Sequence, residues 1–288
     1  MAARWPELCA NGSKTARRTL SSRTVVHSVS LFHYCFLLPV GVCIAVLVMS
    51  AGVSGAALWV PVYLLWLRLG APLAFWLGLF TMLFGFGSGV YRNWRDRTYN
   101  GRLVKRFLAA SVPAAFIGGW CAALVNERLL IMLFGTFLLV YSGAIAVRTM
   151  SDTSSTKRHD SVDYSVALAG GALTGLISIG VESLAMPTVF RHRSVRTPGE
   201  GIGSLVMIIF FTSLAATVGR LRPSFIAELH RQLASLLAVM LWAAPAVVLG
   251  GQIGPRLAQK LTSERHARLY FSAVLMLVGI LTLWRAHG

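Results

Sequence analysis

The stretch SAGVSGAALWVP, residues Ser50 to Pro61, decides how this chain folds, because it ends one apolar segment and opens another with residues ill suited to an unbroken helix. Its small residues loosen the backbone, and Pro61 removes a backbone donor. The same grammar returns at Ile177 to Pro187, ISIGVESLAMP. With Pro61 set on Pro187, an offset of 126 residues, Pro72 falls on Pro198 and Leu58 on Leu184. Farther along, PAAFIGG from Pro113 faces PAVVLGG from Pro245, and Glu127-Arg128 and Phe134 face Glu264-Arg265 and Phe271. Landmarks repeated in one order indicate an internal duplication.

Working outward from the two breaks, the flanking sequence belongs in lipid. Of 288 residues, 56% are hydrophobic and only 13% charged, with a mean hydropathy of +0.66, outside the range of soluble domains. A bilayer core about 30 Å thick is crossed by roughly 20 apolar residues in a helix, since each amide must find its partner within its own segment. Spans are expected at Leu31 to Ser50, Ala71 to Tyr91, Phe107 to Val125 and Leu129 to Val147 in the first half. In the second they are Tyr164 to Gly180, Gly201 to Gly219, Gln232 to Ile253 and Leu269 to Trp284. The pieces Ala56 to Leu67 and Ser183 to Phe190 are too short to cross and read as half-helices that dip in and return, or as extensions of their neighbours. The expected fold is an all-α polytopic membrane protein of about eight transmembrane helices, in two four-span repeats that each carry a broken or re-entrant half-helix. Residues 1–29 form a basic tail, 30–148 the first repeat, 149–163 a polar linker and 164–288 the second repeat.

Cytoplasmic loops carry the excess of Lys and Arg. With eight spans and the N-terminus inside, 18 of the 27 basic residues fall inside, so both termini are expected in the cytoplasm of a cell-membrane protein. Letting the short pieces cross fully puts 16 outside and 11 inside with the same N-terminus, which favours the eight-span reading. The net charge of +17 follows from these flanks and from anionic lipid rather than from a nucleic-acid surface. The four cysteines show no CxxC spacing, so neither a disulfide framework nor a metal site is expected, and no cofactor is implied.

The breaks are the candidate site. Discontinuous helices in two-repeat transporters meet near the midplane, where free amide ends attract an anion. The candidate substrate-binding residues are Gly52, Ser54, Gly55, Pro61, Gly180, Glu182, Ser183, Pro187 and Ser204. Gly171 with Gly175, and Gly118 with Gly119, read instead as close-packing positions. Glu182 stands inside the second break, whereas the other nine carboxylates lie in tails, loops or span ends. It reads as a proton carrier, or as the ion-pair partner of Arg191 or Arg193.

With these residues in hand, the sequence resembles the sulfite exporter TauE/SafE family, also called the toluene-sulfonate uptake permease family, from about Val40 to Trp284. The resemblance rests on a Gly-rich stretch running into an apolar Val-Pro, GVSGAALWVP in the first half and GLISIGVESLAMP in the second. It rests also on the span opening EGIGSLVMIIF with Ser204, whose partner AFWLGLFTMLF carries Gly78 where a hydroxyl is expected. It implies eight or so spans, movement of sulfite, sulfonates or related small anions, and no ATPase domain. The expected function is a secondary transporter, proton-coupled through Glu182, with a small anion and the lipid bilayer as partners; a homo-oligomer is compatible with the sequence. Two other classes stand beside it: a membrane receptor or assembly subunit without transport, and an intramembrane serine protease suggested by Gly52-x-Ser54-Gly55, for which no histidine lies on another span.

Overall fold

The computed structural model describes residues 34–51, 55–150, 162–261 and 264–287, and among them the regular structure is helical. The first half contains α1 (Leu37–Ala51), α2 (Ala56–Pro61), α3 (Ala71–Arg95), α4 (Gly101–Ala122) and α5 (Glu127–Met150). The second contains α6 (Tyr164–Ile177), α7 (Val181–Arg191), α8 (Pro198–Gly219), α9 (Pro223–Arg231), α10 (Leu233–Leu261) and α11 (Glu264–His287). Among the described residues five helices are long and apolar enough to cross a membrane: α3, α5, α8, α10 over Leu233–Gln252, and α11 over Arg268–Ala286. The chain is a multi-pass membrane protein.

Local chemistry sets the helix ends. Asn100 caps α4 by accepting from the Leu103 amide at 3.0 Å, and Thr197 caps α8 by accepting from the Glu200 amide at 3.2 Å, with Pro198 in the first turn where its missing donor costs nothing. Pro61 leaves the Ala57 carbonyl without its helical donor, and the chain continues α2 as a π-turn over Val62–Trp66.

Side-chain contacts fix the direction of each helix. α6 runs parallel to α4, since Gly171 abuts Ser111 and Gly175 abuts Ala115. α8 also runs parallel to α4, with Ser111 hydrogen-bonded to Thr212 at 3.0 Å and Gly219 against Phe116. α3 is antiparallel to α8, pairing Gly89 with Val206 and Phe75 with Arg220. α10 follows α3 (Thr81 near Met240, Gly85 near Val247), and α1 follows α10 (Gly41 near Ala246, Ala45 near Gly250). α5 and α11 are antiparallel, Ser272 donating to the Ser142 carbonyl at 2.8 Å.

These directions overturn the expected sidedness. Since α4, α6 and α8 all run one way, α7 must carry the chain back between α6 and α8. α6 has 14 residues, about 21 Å, and does not cross a core of about 30 Å. It enters, turns at Ser178–Gly180, and returns through α7 to the face it left, so α6–α7 is a re-entrant hairpin rather than a full span followed by a half-helix. Eight full spans would put residues 92–106 and 191–196 on opposite faces. Instead the Asn100 side chain donates to the Ser194 carbonyl at 3.2 Å, and the Asn100 amide donates to Ser204 at 2.9 Å. α1 and α2 make the matching hairpin from the other face: Trp59 lies against Gly41, and Arg285 near the end of α11 donates to the Leu64 carbonyl. The face where α1 begins is called the terminal face below, and the face joining α5 to α6 the linker face.

Candidate functional site

The second break is built from a left-handed residue and a glycine. Ser178 ends α6 with φ of 64°, and its hydroxyl donates to the Phe75 carbonyl at 2.8 Å, pinning the tip to α3. Gly180 has φ of 153° and ψ of −54°, a region open to glycine; a Cβ there would also stand 2.6 Å from that of Leu173. The Val181 amide, first of α7, donates to the Thr174 hydroxyl at 2.8 Å, and Thr174 donates to the Gly170 carbonyl at the same distance.

At this turn the chain buries charge. Glu182 and Ser183, in the first turn of α7, are 4% and 7% exposed, and Tyr141 of α5 faces both. Pro187 leaves the Ser183 carbonyl without its helical donor, as Pro61 does for Ala57 in α2. Arg191 stands nine residues along α7 from Glu182, about 13 Å along the axis and half a turn round, which removes it as an ion-pair partner. A buried positive charge near this tip is Arg220, 3% exposed at the end of α8. Its guanidinium donates to the Gly175 carbonyl at 2.8 and 3.1 Å and to the Leu176 carbonyl at 2.7 Å, and lies 5.7 Å from the Phe75 ring centre. Those carbonyls end α6 and have no helical donor, so Arg220 serves as its C-cap. Ser213, Thr217 and Arg220 recur at i, i+4 and i+7 and form a buried polar stripe on α8.

The first break is different in kind. Gly55 borders an apolar cavity of about 60 Å³ with Ile44, Val48, Trp59, Met82 and Phe86. Gly52 and Ser54 lie outside the described residues, and Pro61 is buried in α2. The cavity beside Gly55 and the second tip stand at different levels of the bundle. The cavity lies level with Gly85 of α3 and the second tip with Phe75, ten residues or about 15 Å along that helix. Ser204 joins neither tip, because it accepts the Asn100 amide near the linker face. Gly78 stands where a hydroxyl was expected because α2 packs there: a Cβ would be 2.6 Å from Val60.

Of the expected residues, the structure brings together Gly180, Glu182, Ser183 and Pro187, and sets Gly55 and Pro61 in a separate hairpin. Sequence reasoning missed Arg220, which reads as one more flanking charge, and Tyr141, a single polar aromatic in an apolar run. Gly171, Gly175, Gly118 and Gly119 do pack closely: a Cβ on Gly118 would meet the Ala172 carbonyl at 2.5 Å, and one on Gly119 the Ala216 carbonyl at 2.6 Å.

Comparison with known proteins identifies the family. The family model described as sulfite exporter TauE/SafE matches residues 37–282. The chain is 25% identical over 263 residues to the "Probable membrane transporter protein YjnA" of Bacillus subtilis (strain 168), covering 83% of this chain and 96% of that protein. No solved structure matches it. A match spanning both hairpins and the helices that hold them makes this chain a member of the TauE/SafE sulfite exporter family of membrane transporters.

Proposed function

We propose that the chain is a secondary transporter of a small anion, of the sulfite or sulfonate type, built from two inverted repeats and coupled to protons through Glu182. The observation that carries this reading is the second hairpin tip, where a buried carboxylate and a buried guanidinium flank a left-handed turn inside the bilayer. Buried ionisable groups in a membrane-spanning chain are costly and mark ion pathways. Arg220 supplies the positive charge an anion needs, and protonation of Glu182 relieves its repulsion when the anion binds.

The inverted repeat is supported by exchanged pairing. α4 packs on α6 and α10 on α1; α4 packs on α8 and α10 on α3; α5 pairs with α11 and α3 with α8. Each contact between halves has its counterpart with the halves swapped. Helix directions place Arg92, Arg95, Arg97, Arg102, Lys105, Arg106, Arg148, Arg191, Arg193, Arg196 and Arg268 at the linker face. Arg68, Arg128, Arg220, Arg222, Arg231 and Arg285 lie toward the terminal face. That is eleven against six among residues with described side chains, so the linker face is cytoplasmic and both termini are external in the cell membrane. This replaces the expected cytoplasmic termini.

The test is flux in liposomes holding the purified protein, with sulfite, a small sulfonate and chloride offered under a pH gradient. Accumulation of the sulfur oxyanions with proton movement supports the reading; transport of none of them by folded protein refutes it.

A further inference from the structure

Away from the hairpin tips, a groove of about 1020 Å³ opens between the linker-face halves of α3, α4 and α8. It has two chemistries. Its interior is apolar, formed by Val90, Leu108, Met207 and Phe211. At its mouth stand Arg102 and Lys105, one turn apart on α4 and both exposed, beside Tyr91 and Trp94, each 64% exposed. A soluble anion would leave the apolar half wet, and an uncharged apolar molecule would leave both cations unused. The groove is also closed toward the hairpin tips: one turn beyond Leu108 the Ser111–Thr212 hydrogen bond bridges α4 and α8, and the backbones then meet at Gly119 and Gly219. None of Glu182, Ser183 and Arg220 lines it.

We propose that this groove holds one anionic phospholipid, its phosphate on Arg102 and Lys105, its glycerol against Tyr91 and Trp94, and an acyl chain along Met207 and Phe211. Exposed aromatics at a helix end belong to the headgroup layer, and basic pockets between membrane helices on the cytoplasmic side take anionic headgroups. The argument for the occupant is charge and polarity matched end to end, at the face that carries the larger share of Lys and Arg.

The experiment uses the full chain in neutral detergent, with phosphatidylglycerol, phosphatidylcholine, inorganic phosphate and glycerol phosphate as probes. Native mass spectrometry should find one phosphatidylglycerol per chain, preferred over phosphatidylcholine by about thirtyfold for two headgroup cations. Arg102→Gln with Lys105→Gln should abolish that preference. Equal retention of the two lipids by the wild type, or an unchanged preference in the double variant, overturns the proposal. Displacement of the lipid by millimolar inorganic phosphate or glycerol phosphate also overturns it, and assigns the cations to a soluble anion. A second measurement does not depend on the double variant folding: brominated phosphatidylglycerol should quench tryptophan emission more than brominated phosphatidylcholine, and Trp94→Phe should remove the excess. An excess that persists in Trp94→Phe overturns the assignment.

Discussion

Arg220→Met tests whether the buried guanidinium is what closes α6. The substitution keeps much of the side-chain volume and leaves the Gly175 and Leu176 carbonyls, now served at 2.7–3.1 Å, with no donor where no helical amide can replace it. Each buried acceptor left unpaired costs about 1–3 kcal/mol, and loss of the contact with Phe75 adds about 0.5–1 kcal/mol. Against this, a methionine no longer has to be kept from water as a charge, which returns part of the loss. A net destabilisation of about 2–4 kcal/mol remains, which at roughly 2–4 °C per kcal/mol lowers the unfolding midpoint by about 5–15 °C. Arg220→Lys retains the charge and one or two of the bonds without the planar fork, and should lose about half as much. The assay is thermal unfolding in detergent, paired with anion flux in liposomes at a temperature where both variants remain folded. A wild-type midpoint for Arg220→Met would refute the capping argument; a lowered midpoint with undiminished flux would remove Arg220 from the anion site while leaving it as a cap.

Other perturbations separate the remaining claims. Gly175→Ala puts a methyl into the backbone of α4, 2.5 Å from the Gly119 amide, and should lower the unfolding midpoint sharply. Gly143→Ala, with nothing within 4 Å, should leave it unchanged or raise it slightly. In a cysteine-free background, Arg97→Cys and Arg196→Cys should be labelled by an impermeant maleimide from the same side and Arg128→Cys from the other; labelling of the first two from opposite sides would contradict the hairpin topology. A reporter fused after Gly288 should read external, and a cytoplasmic signal would reverse the orientation while leaving the fold intact. Glu182→Gln should keep exchange of labelled anion at equal pH and lose accumulation driven by a pH gradient; a wild-type response to the gradient would exclude proton carriage by Glu182.

Much of the fold was legible in the sequence because lipid imposes a simple rule on composition. The apolar runs and the two Gly-to-Pro breaks mark where helices lie and where they stop. What hydropathy does not carry is direction. A run such as Tyr164 to Gly180 scores alike whether it crosses or turns back, and the deciding features are the φ of Gly180 and the contact of Gly171 with Ser111. Charge counting inherited that ambiguity, because treating Tyr164 to Gly180 as a full span sets residues 191–196 on the face opposite residues 92–106. In the candidate site, Gly180, Glu182, Ser183 and Pro187 were readable as breaks in an apolar pattern. Ser204 misled because a hydroxyl near a helix start serves a neighbour's backbone as readily as a solute. Arg220 sits at the end of an apolar run, where arginines ordinarily reach for water, and only the folded chain shows it turned inward.

The glycine crossings of α4 have a mechanical consequence. Where α4 meets α6 and α8, backbone lies on backbone at Gly118, Gly119, Gly171, Gly175 and Gly219, with almost no side chain between the helices. Elsewhere in a packed interior, rotating one helix on another means lifting side chains out of their grooves and reseating them in new rotamers. A joint made of main chain has no rotamers to exchange, so the resistance to turning it is set by small, graded changes in contact distance. That makes these crossings the place where α6 and α8 turn on α4 with least resistance.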